Sequence, residues 1–268
     1  MKQLIIGFLF LSAQLFALPN GIWIKANHND NNTHIKVLLN SPMYGKEEAE
    51  KRKVESNVIT HVAAQVNKKT VFEVFTSEFT SKGPFLQFAL KNNPNNKTIK
   101  FITVDNNKNI NTQSFNIRNL NTKKMEKDLL SLKEKPTLNK IENLKVWDAK
   151  TVNEALEELY NSTDTIKSEF FKLSTKQYEN RLHVPLNIKS NLDLESIIVL
   201  VDANARSTVA IFKIPTRAII DYQIGLEMTN YKVQNYIVVI GKDRNGKLYK
   251  DRKKVNLITP CINAGGGE

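Results

Sequence analysis

From Thr33 to about Asn119 the chain is written in short runs where apolar and polar residues alternate. Ile35 to Leu39, Val58 to Val66, Thr70 to Phe75, Pro84 to Leu90 and Thr98 to Val104 each show alternation or a compact apolar run. That period of two belongs to strands whose faces meet different environments. Asparagine-rich turns punctuate the runs, as at Asn67-Lys68-Lys69 and Asp105-Asn106-Asn107-Lys108. Strands at short spacing with turns between them predict a β-sandwich.

The pattern breaks between Asn121 and Lys145, which is polar, rich in lysine and carries Pro136. Met125, Leu129, Leu130 and Leu132 fit one short amphipathic helix, too few apolar positions for a domain, so the segment reads as a linker. A second helix is better signposted. Thr151 is an N-cap candidate with Glu154 three residues on, and Val152, Ala155, Leu156 and Leu159 follow at helical spacing. From Leu182 the strand pattern returns in Val184 to Ile188, Leu194 to Val201, Thr208 to Ile214, Ile219 to Leu226, Lys232 to Ile240, Lys247 to Lys250 and Lys253 to Leu257. Asn245-Gly246 predicts a type I′ hairpin turn. The expected fold is all-β: two sandwich domains, a short helical linker and a flexible C-terminal arm.

The first 17 residues join one positive charge at Lys2 to an apolar run from Leu4 to Leu11 and end at Ala17, the three-part pattern of a secretory signal peptide. The run is short for a membrane span of about 20 residues and no later segment approaches that length, so a soluble exported product is expected and a retained anchor is the lesser alternative. The remaining chain, about 250 residues, is enough for two ordinary domains. Expected boundaries are 1–17 for the signal, 22–120 for the first sandwich, 121–146 for the linker, 147–258 for the second sandwich with its N-terminal helix, and 259–268 for the arm.

The formal charge is +12, but its cations are spread along the chain among acidic residues, with no basic stretch interleaved with aromatics. That argues against nucleic acid and for acidic partner surfaces. The four histidines, His28, His34, His61 and His183, are scattered, and the sequence shows no close cluster of metal ligands. No nucleotide-binding or hydrolase motif is present either. No metal, no cofactor and no catalytic constellation are expected. Glu157-Glu158 reads as a solvated helix face, and Trp23 and Trp147 as packing or interdomain residues.

One cysteine remains, Cys261, in the tail Thr259-Pro260-Cys261-Ile262-Asn263-Ala264-Gly265-Gly266-Gly267-Glu268. It has no partner for an intramolecular disulfide, and on an exported protein an unpaired thiol points to an attachment site. The competing reading is an inert thiol in a tail.

At this point two resemblances enter. The second half resembles SoxY, the sulfur-carrying subunit of bacterial thiosulfate oxidation, in Val184-Pro185-Leu186-Asn187-Ile188, Leu194 to Asn204, Val209-Ala210-Ile211-Phe212 and Asn245-Gly246-Lys247-Leu248-Tyr249. The helix opening Thr151-Val152-Asn153-Glu154-Ala155 resembles the segment before that family's sandwich. The first half resembles SoxZ, the partner subunit, in Asn40 to Gly45, Val66 to Phe72, Ser81 to Phe88 and Val104 to Asn107. The order of these fragments is that of a SoxZ–SoxY fusion.

The resemblance implies immunoglobulin-like sandwiches packed on each other and a carrier without its own catalytic site. Thiosulfate-derived sulfur would ride covalently on Cys261 in the periplasm. The implied partners are a Sox-type conjugating cytochrome, a sulfate-releasing hydrolase and a sulfane dehydrogenase. The family's arm ends Gly-Gly-Cys-Gly-Gly. Here Pro260 precedes the cysteine, Ile262 follows it, and Gly265, Gly266 and Gly267 come later. Pro260 stiffens the base of the arm and Ile262 adds bulk beside the sulfur. The alternative function is a non-covalent binding or interaction module with a vestigial arm.

Overall fold

The computed structural model describes residues 21–93, 98–117, 138–175, 178–229 and 235–257, with the backbone alone at Tyr178 and Glu179. The first half supplies β1 (Ile22–His28), β2 (Asn32–Leu39), α1 (Lys46–Arg52), β3 (Ile59–Val66), β4 (Lys69–Thr76), β5 (Phe85–Lys91), β6 (Thr98–Asp105) and β7 (Ile110–Asn116). A 3₁₀ turn at Leu144–Trp147 and α2 (Val152–Tyr160) follow. The second half supplies β8 (Ile166–Lys167), β9 (Phe171–Ser174), β10 (Tyr178–Glu179), β11 (Val184–Ser190), β12 (Leu194–Val201), β13 (Thr208–Lys213), β14 (Ile219–Leu226), β15 (Asn235–Asp243) and β16 (Leu248–Leu257).

These strands make two facing sheets, so the expected all-β sandwich is the fold. A six-stranded sheet runs β1-β2-β5-β14-β11-β9, and a ten-stranded sheet runs β10-β16-β15-β12-β13-β4-β3-β6-β7 with β8 on β16. Each half contributes to both layers, and the halves meet edge to edge in both. β13 pairs with β4 through Ala210↔Thr76, Ile211↔Phe75 and Phe212↔Val74. β14 pairs with β5 through Gln223↔Gln87 and Ile224↔Leu86. The seam is therefore built from backbone hydrogen bonds, which leave neither inner edge open.

One core fills the space between the sheets, and its aromatic centre crosses the seam. Phe72 stacks on Phe88 at 4.4 Å and meets Tyr222 edge-on at 5.5 Å, while Tyr222 stacks on Phe212 at 5.1 Å. A second cluster lies on the outer face of the larger sheet, where Ala155 and Leu156 of α2, Val146 and Ile141 cover Phe75, Ile198, Leu200 and Ile211. Of the predicted linker 121–146, residues 138–146 are described and belong to this cover. The short helix expected around Met125 to Leu132 lies outside the described residues.

Local structure follows the sequence signals with three differences. Thr151 Oγ1 accepts the Glu154 N–H at 3.2 Å as expected of an N-cap, but the Glu154 carboxylate accepts from the N–H of Lys150, one residue before it. The Asn245-Gly246 turn is not type I′: of its two central residues only Gly246 has positive φ, at 88°. Asp243 explains this, because its carboxylate accepts the N–H groups of Asn245 and Lys247, both at 2.9 Å, while Gly246 N–H bonds to Asp243 C=O at 3.1 Å. That is a type I turn closed by a glycine in the left-handed region. Finally, the two strands expected over Lys247 to Leu257 are one continuous strand, β16.

Candidate functional site

Cys261 and its neighbours Pro260, Ile262, Gly265, Gly266 and Gly267 lie outside the described residues. The structure locates where the chain leaves the fold towards them. β16 runs against β15 until Val255 faces Asn235, and its last residues Asn256 and Leu257 pair with Tyr178 and Glu179 of β10. Cys261 is four residues beyond Leu257, a reach of about 13 Å at roughly 3.3 Å per residue.

The loops at this end of the sandwich are tied to one another. Asn204 donates to the Glu227 carbonyl at 3.0 Å and accepts the Thr229 N–H at 2.8 Å, and Asp202 accepts the Tyr236 N–H at 2.9 Å. Met228 N–H bonds to Arg181 C=O at 2.8 Å, and Glu227 N–H to Phe79 C=O at 2.7 Å. Arg206 pairs with Glu78 across the seam and lies over the Phe79 ring at 5.6 Å. A Cβ added at Gly45 would overlap the Glu78 carboxylate, so a larger residue there would displace that side chain. A Cβ at Gly225 would sit 2.3 Å from Ser81 Oγ and 3.0 Å from the His183 ring.

Charge at this rim is mixed. Glu48 lies between Lys82 at 2.7 Å and Arg52 at 2.9 Å, and both cations also face the Tyr44 ring. Burial opposes its ionisation, yet the hydrogen bonds from Lys82 and Arg52 hold the Glu48 carboxyl below the usual carboxylate range. Glu227 is the opposite case. Burial pushes its carboxyl up, and Glu48 and Glu78 add to this against Lys82 and Arg181.

Beside the rim, a cleft of about 1070 Å³ opens on the outer face of the larger sheet, reaching from Arg206 and Glu78 to Ile110, Leu144 and Trp147. Its floor includes His61, one member of a pair that strand-by-strand reading of the sequence missed. His61 Nε2 donates to Glu73 at 2.9 Å, both side chains are buried, and the ring stacks on Phe75 at 4.1 Å. Asn139 donates to the other Glu73 oxygen. Burial raises the cost of the Glu73 charge, but the hydrogen bonds from His61 and Asn139 outweigh it and hold the carboxyl below its ordinary value. The pair anchors the segment 138–147 to the sheet.

The other histidines do not converge on it. His28 bonds to Thr33 at 2.8 Å, His34 faces Asp221 at 3.9 Å, and His183 packs by Gly225. Among the described residues no group of three or more His, Cys, Asp or Glu is placed to hold a metal ion, and no helix is long and apolar enough to cross a membrane. Glu157 and Glu158 belong to α2, and Glu158 accepts from Asn143. Trp147 lines the cleft, whereas Trp23 is 60% exposed and packs no core.

Residues 24–116 match the family model of the sulphur oxidation protein SoxZ. The match supports a role in sulfur oxidation and lies within the first half of the chain. A comparison with curated proteins finds no match. Similar solved structures include the superoxide reductase (neelaredoxin) from Ignicoccus hospitalis, 12% identical over 41% of this chain and 95% of that one, with a TM-score of 0.29. Another is the SGBP-B protein of the Bacteroides ovatus mixed-linkage glucan utilization locus, in complex with a mixed-linkage heptasaccharide. It is 11% identical over 88% of this chain and 54% of that one, with a TM-score of 0.18. At those scores neither carries an argument about this chain.

Proposed function

We propose that the chain is an exported sulfur carrier in which a SoxZ-like half and a SoxY-like half act as one molecule. Residues 1–17 direct it to the periplasm, and Cys261 holds thiosulfate-derived intermediates. The observation that carries this reading is the SoxZ match over residues 24–116, in a chain whose second sandwich ends in β16 four residues before its single cysteine.

In the proposed cycle the Cys261 thiolate and thiosulfate join through a new S–S bond to give a cysteine S-thiosulfonate. Two electrons pass to the conjugating cytochrome, so both sulfurs that form the bond are oxidised. Water then cleaves the terminal S–S bond under the sulfate-releasing hydrolase, giving sulfate, two protons and a cysteine persulfide. A sulfane dehydrogenase then takes six electrons from the outer sulfur as three waters supply its oxygens and six protons leave, giving a cysteine S-sulfonate, and a second hydrolysis releases sulfate and two protons and returns the thiolate. The carrier itself supplies the thiolate, the reactive form of cysteine, and its presentation.

A second reading, a non-covalent binding module, is favoured by the replacement of the glycines flanking the cysteine with Pro260 and Ile262. Intact mass after incubation with thiosulfate and the conjugating cytochrome separates the two. The carrier gains a thiosulfate adduct and the Cys261→Ser variant gains none. An adduct that persists in the variant would sink the proposal, and a wild-type chain that gains none points to the binding module.

A further inference from the structure

The outer face of the six-stranded sheet carries an unexplained apolar row. Trp23 of β1 faces Leu38 of β2, and Leu38 faces Phe85 of β5, so their side chains stand side by side on one face. Trp23 is 60% exposed, Leu38 45%, and Phe85 is half-buried. The next outward-facing pair is Lys25 with Lys36. Neither lysine makes an ion pair among the described residues, and Asp221, a carboxylate of the same sheet, is taken by Lys189 at 3.0 Å. Trp23 adds nothing to the core between the sheets, and a largely exposed tryptophan beside further apolar side chains suits recognition.

The position of the row says what it recognises. It lies at the end of the sandwich from which the chain runs on to Cys261. Leu257 pairs with Glu179, and Arg181, two residues later, accepts from Met228. Leu226 bridges to Thr80, Ser81 N–H bonds to Gly225 C=O, Leu39 N–H to Pro84 C=O, and Asn40 N–H to Gly21 C=O, two residues before Trp23. This chain of backbone contacts ties the arm's exit to the apolar row around one rim. The row and the exit stand at opposite edges: β16 belongs to the larger sheet and packs by β9, which is five strands from β1, about 24 Å at roughly 4.8 Å per step. An ordinary protein interface covers about 800 Å² on each partner, a disc roughly 30 Å wide. An enzyme that receives Cys261 at this end and spans the rim reaches the row as well.

Resting on the carrier reading, we propose that Trp23, Leu38 and Phe85, with Lys25 and Lys36, form the docking surface for the enzyme that conjugates thiosulfate to Cys261. The partner face is acidic and offers an apolar recess for the indole. Tryptophan is the residue type most often dominant at interface centres, and the two free lysines select carboxylates and speed encounter. A second copy of this chain is a poorer occupant, because a face-to-face pair brings lysines against lysines.

The test measures loading of Cys261 by the conjugating cytochrome against carrier concentration, for wild type, Trp23→Ala and the Lys25→Glu/Lys36→Glu pair. These are exposed positions, so folding is retained. Trp23→Ala is expected to raise the KM for the carrier about tenfold or more with kcat little changed. The charge reversal is expected to raise KM and remove most of its salt dependence. An unchanged KM in both variants overturns the proposal.

Tetrathionate supplies the control, since the Cys261 thiolate displaces thiosulfate from it to form the same S-thiosulfonate without a docked enzyme. All variants are expected to load equally by this route. Should the enzyme fail to load even wild type, the carrier reading falls, and biolayer interferometry of the cytochrome on Cys261→Ser chains decides the docking alone. Binding lost with Trp23→Ala supports it, and no binding overturns it. A blue shift of Trp23 emission on vesicles of phosphatidylglycerol, or a dimer abolished by Trp23→Ala in sedimentation, would reassign the face to a membrane or to a second copy.

Discussion

Glu227 and Glu73 are both carboxyls drawn into the fold, and their pKa values are shifted in opposite senses. Burial raises the Glu227 pKa, so the folded protein holds this proton more tightly than the unfolded chain. Its contribution is complete below the unfolded value, about 4.3, and is lost as pH rises through the raised folded value. Glu227→Gln is accordingly expected to stabilise the protein at pH 7, by on the order of 0.5 kcal/mol for a half-buried group, and to be neutral near pH 3. Thermal denaturation at the two pH values checks this. Glu73 runs the other way. Its lowered folded pKa contributes stability that is present above the unfolded value and lost as pH falls through the folded one. Glu73→Gln leaves buried His61 without its carboxylate and is expected to cost about 3 kcal/mol at pH 7 by urea denaturation. A loss near zero would show that the pair does not hold the cover segment.

At the scale of elements, the helix α2 is the clearest case of local sequence deciding local structure. Thr151→Ala removes the cap bond to Glu154 N–H and is expected to lower stability by about 1 kcal/mol, read from the denaturation midpoint. The turn at Asn67-Lys68 was equally legible, and both residues adopt positive φ, 51° and 64°, as a two-residue hairpin between β3 and β4 demands. β7 was not legible. It is an edge strand whose residues are half-buried or exposed on both faces, so burial never imposed an alternating pattern on it. β1 hid for a related reason, because its largest side chain, Trp23, faces outward. The His61–Glu73 pair needed knowledge of which strands are neighbours, since β3 register places Glu73 opposite Ala63 and His61 opposite Phe75. From spacing alone His61 is just a polar residue in a strand. The lone cysteine on which the carrier proposal rests was visible from composition, whereas the apolar row of Trp23, Leu38 and Phe85 required three strands to be set side by side.

The whole molecule is bound together at its seam. Strands from both halves share both sheets, and Phe72 of the first half packs against Phe212 and Tyr222 of the second. Phe72→Ala is expected to cost about 3–5 kcal/mol and to lower one cooperative transition common to both halves. Two separate calorimetric transitions, one of them unmoved, would contradict a shared core. A rigid joint of this kind keeps the part of the chain that matches SoxZ in a fixed place relative to β16, as the proposed carrier role would require. The most direct measurement is the intact mass of the protein purified from its own source without reductant, followed by reduction. The account predicts reducible adducts of sulfur or thiosulfate mass located on Cys261. A bare thiol that also resists loading by the conjugating cytochrome would contradict it.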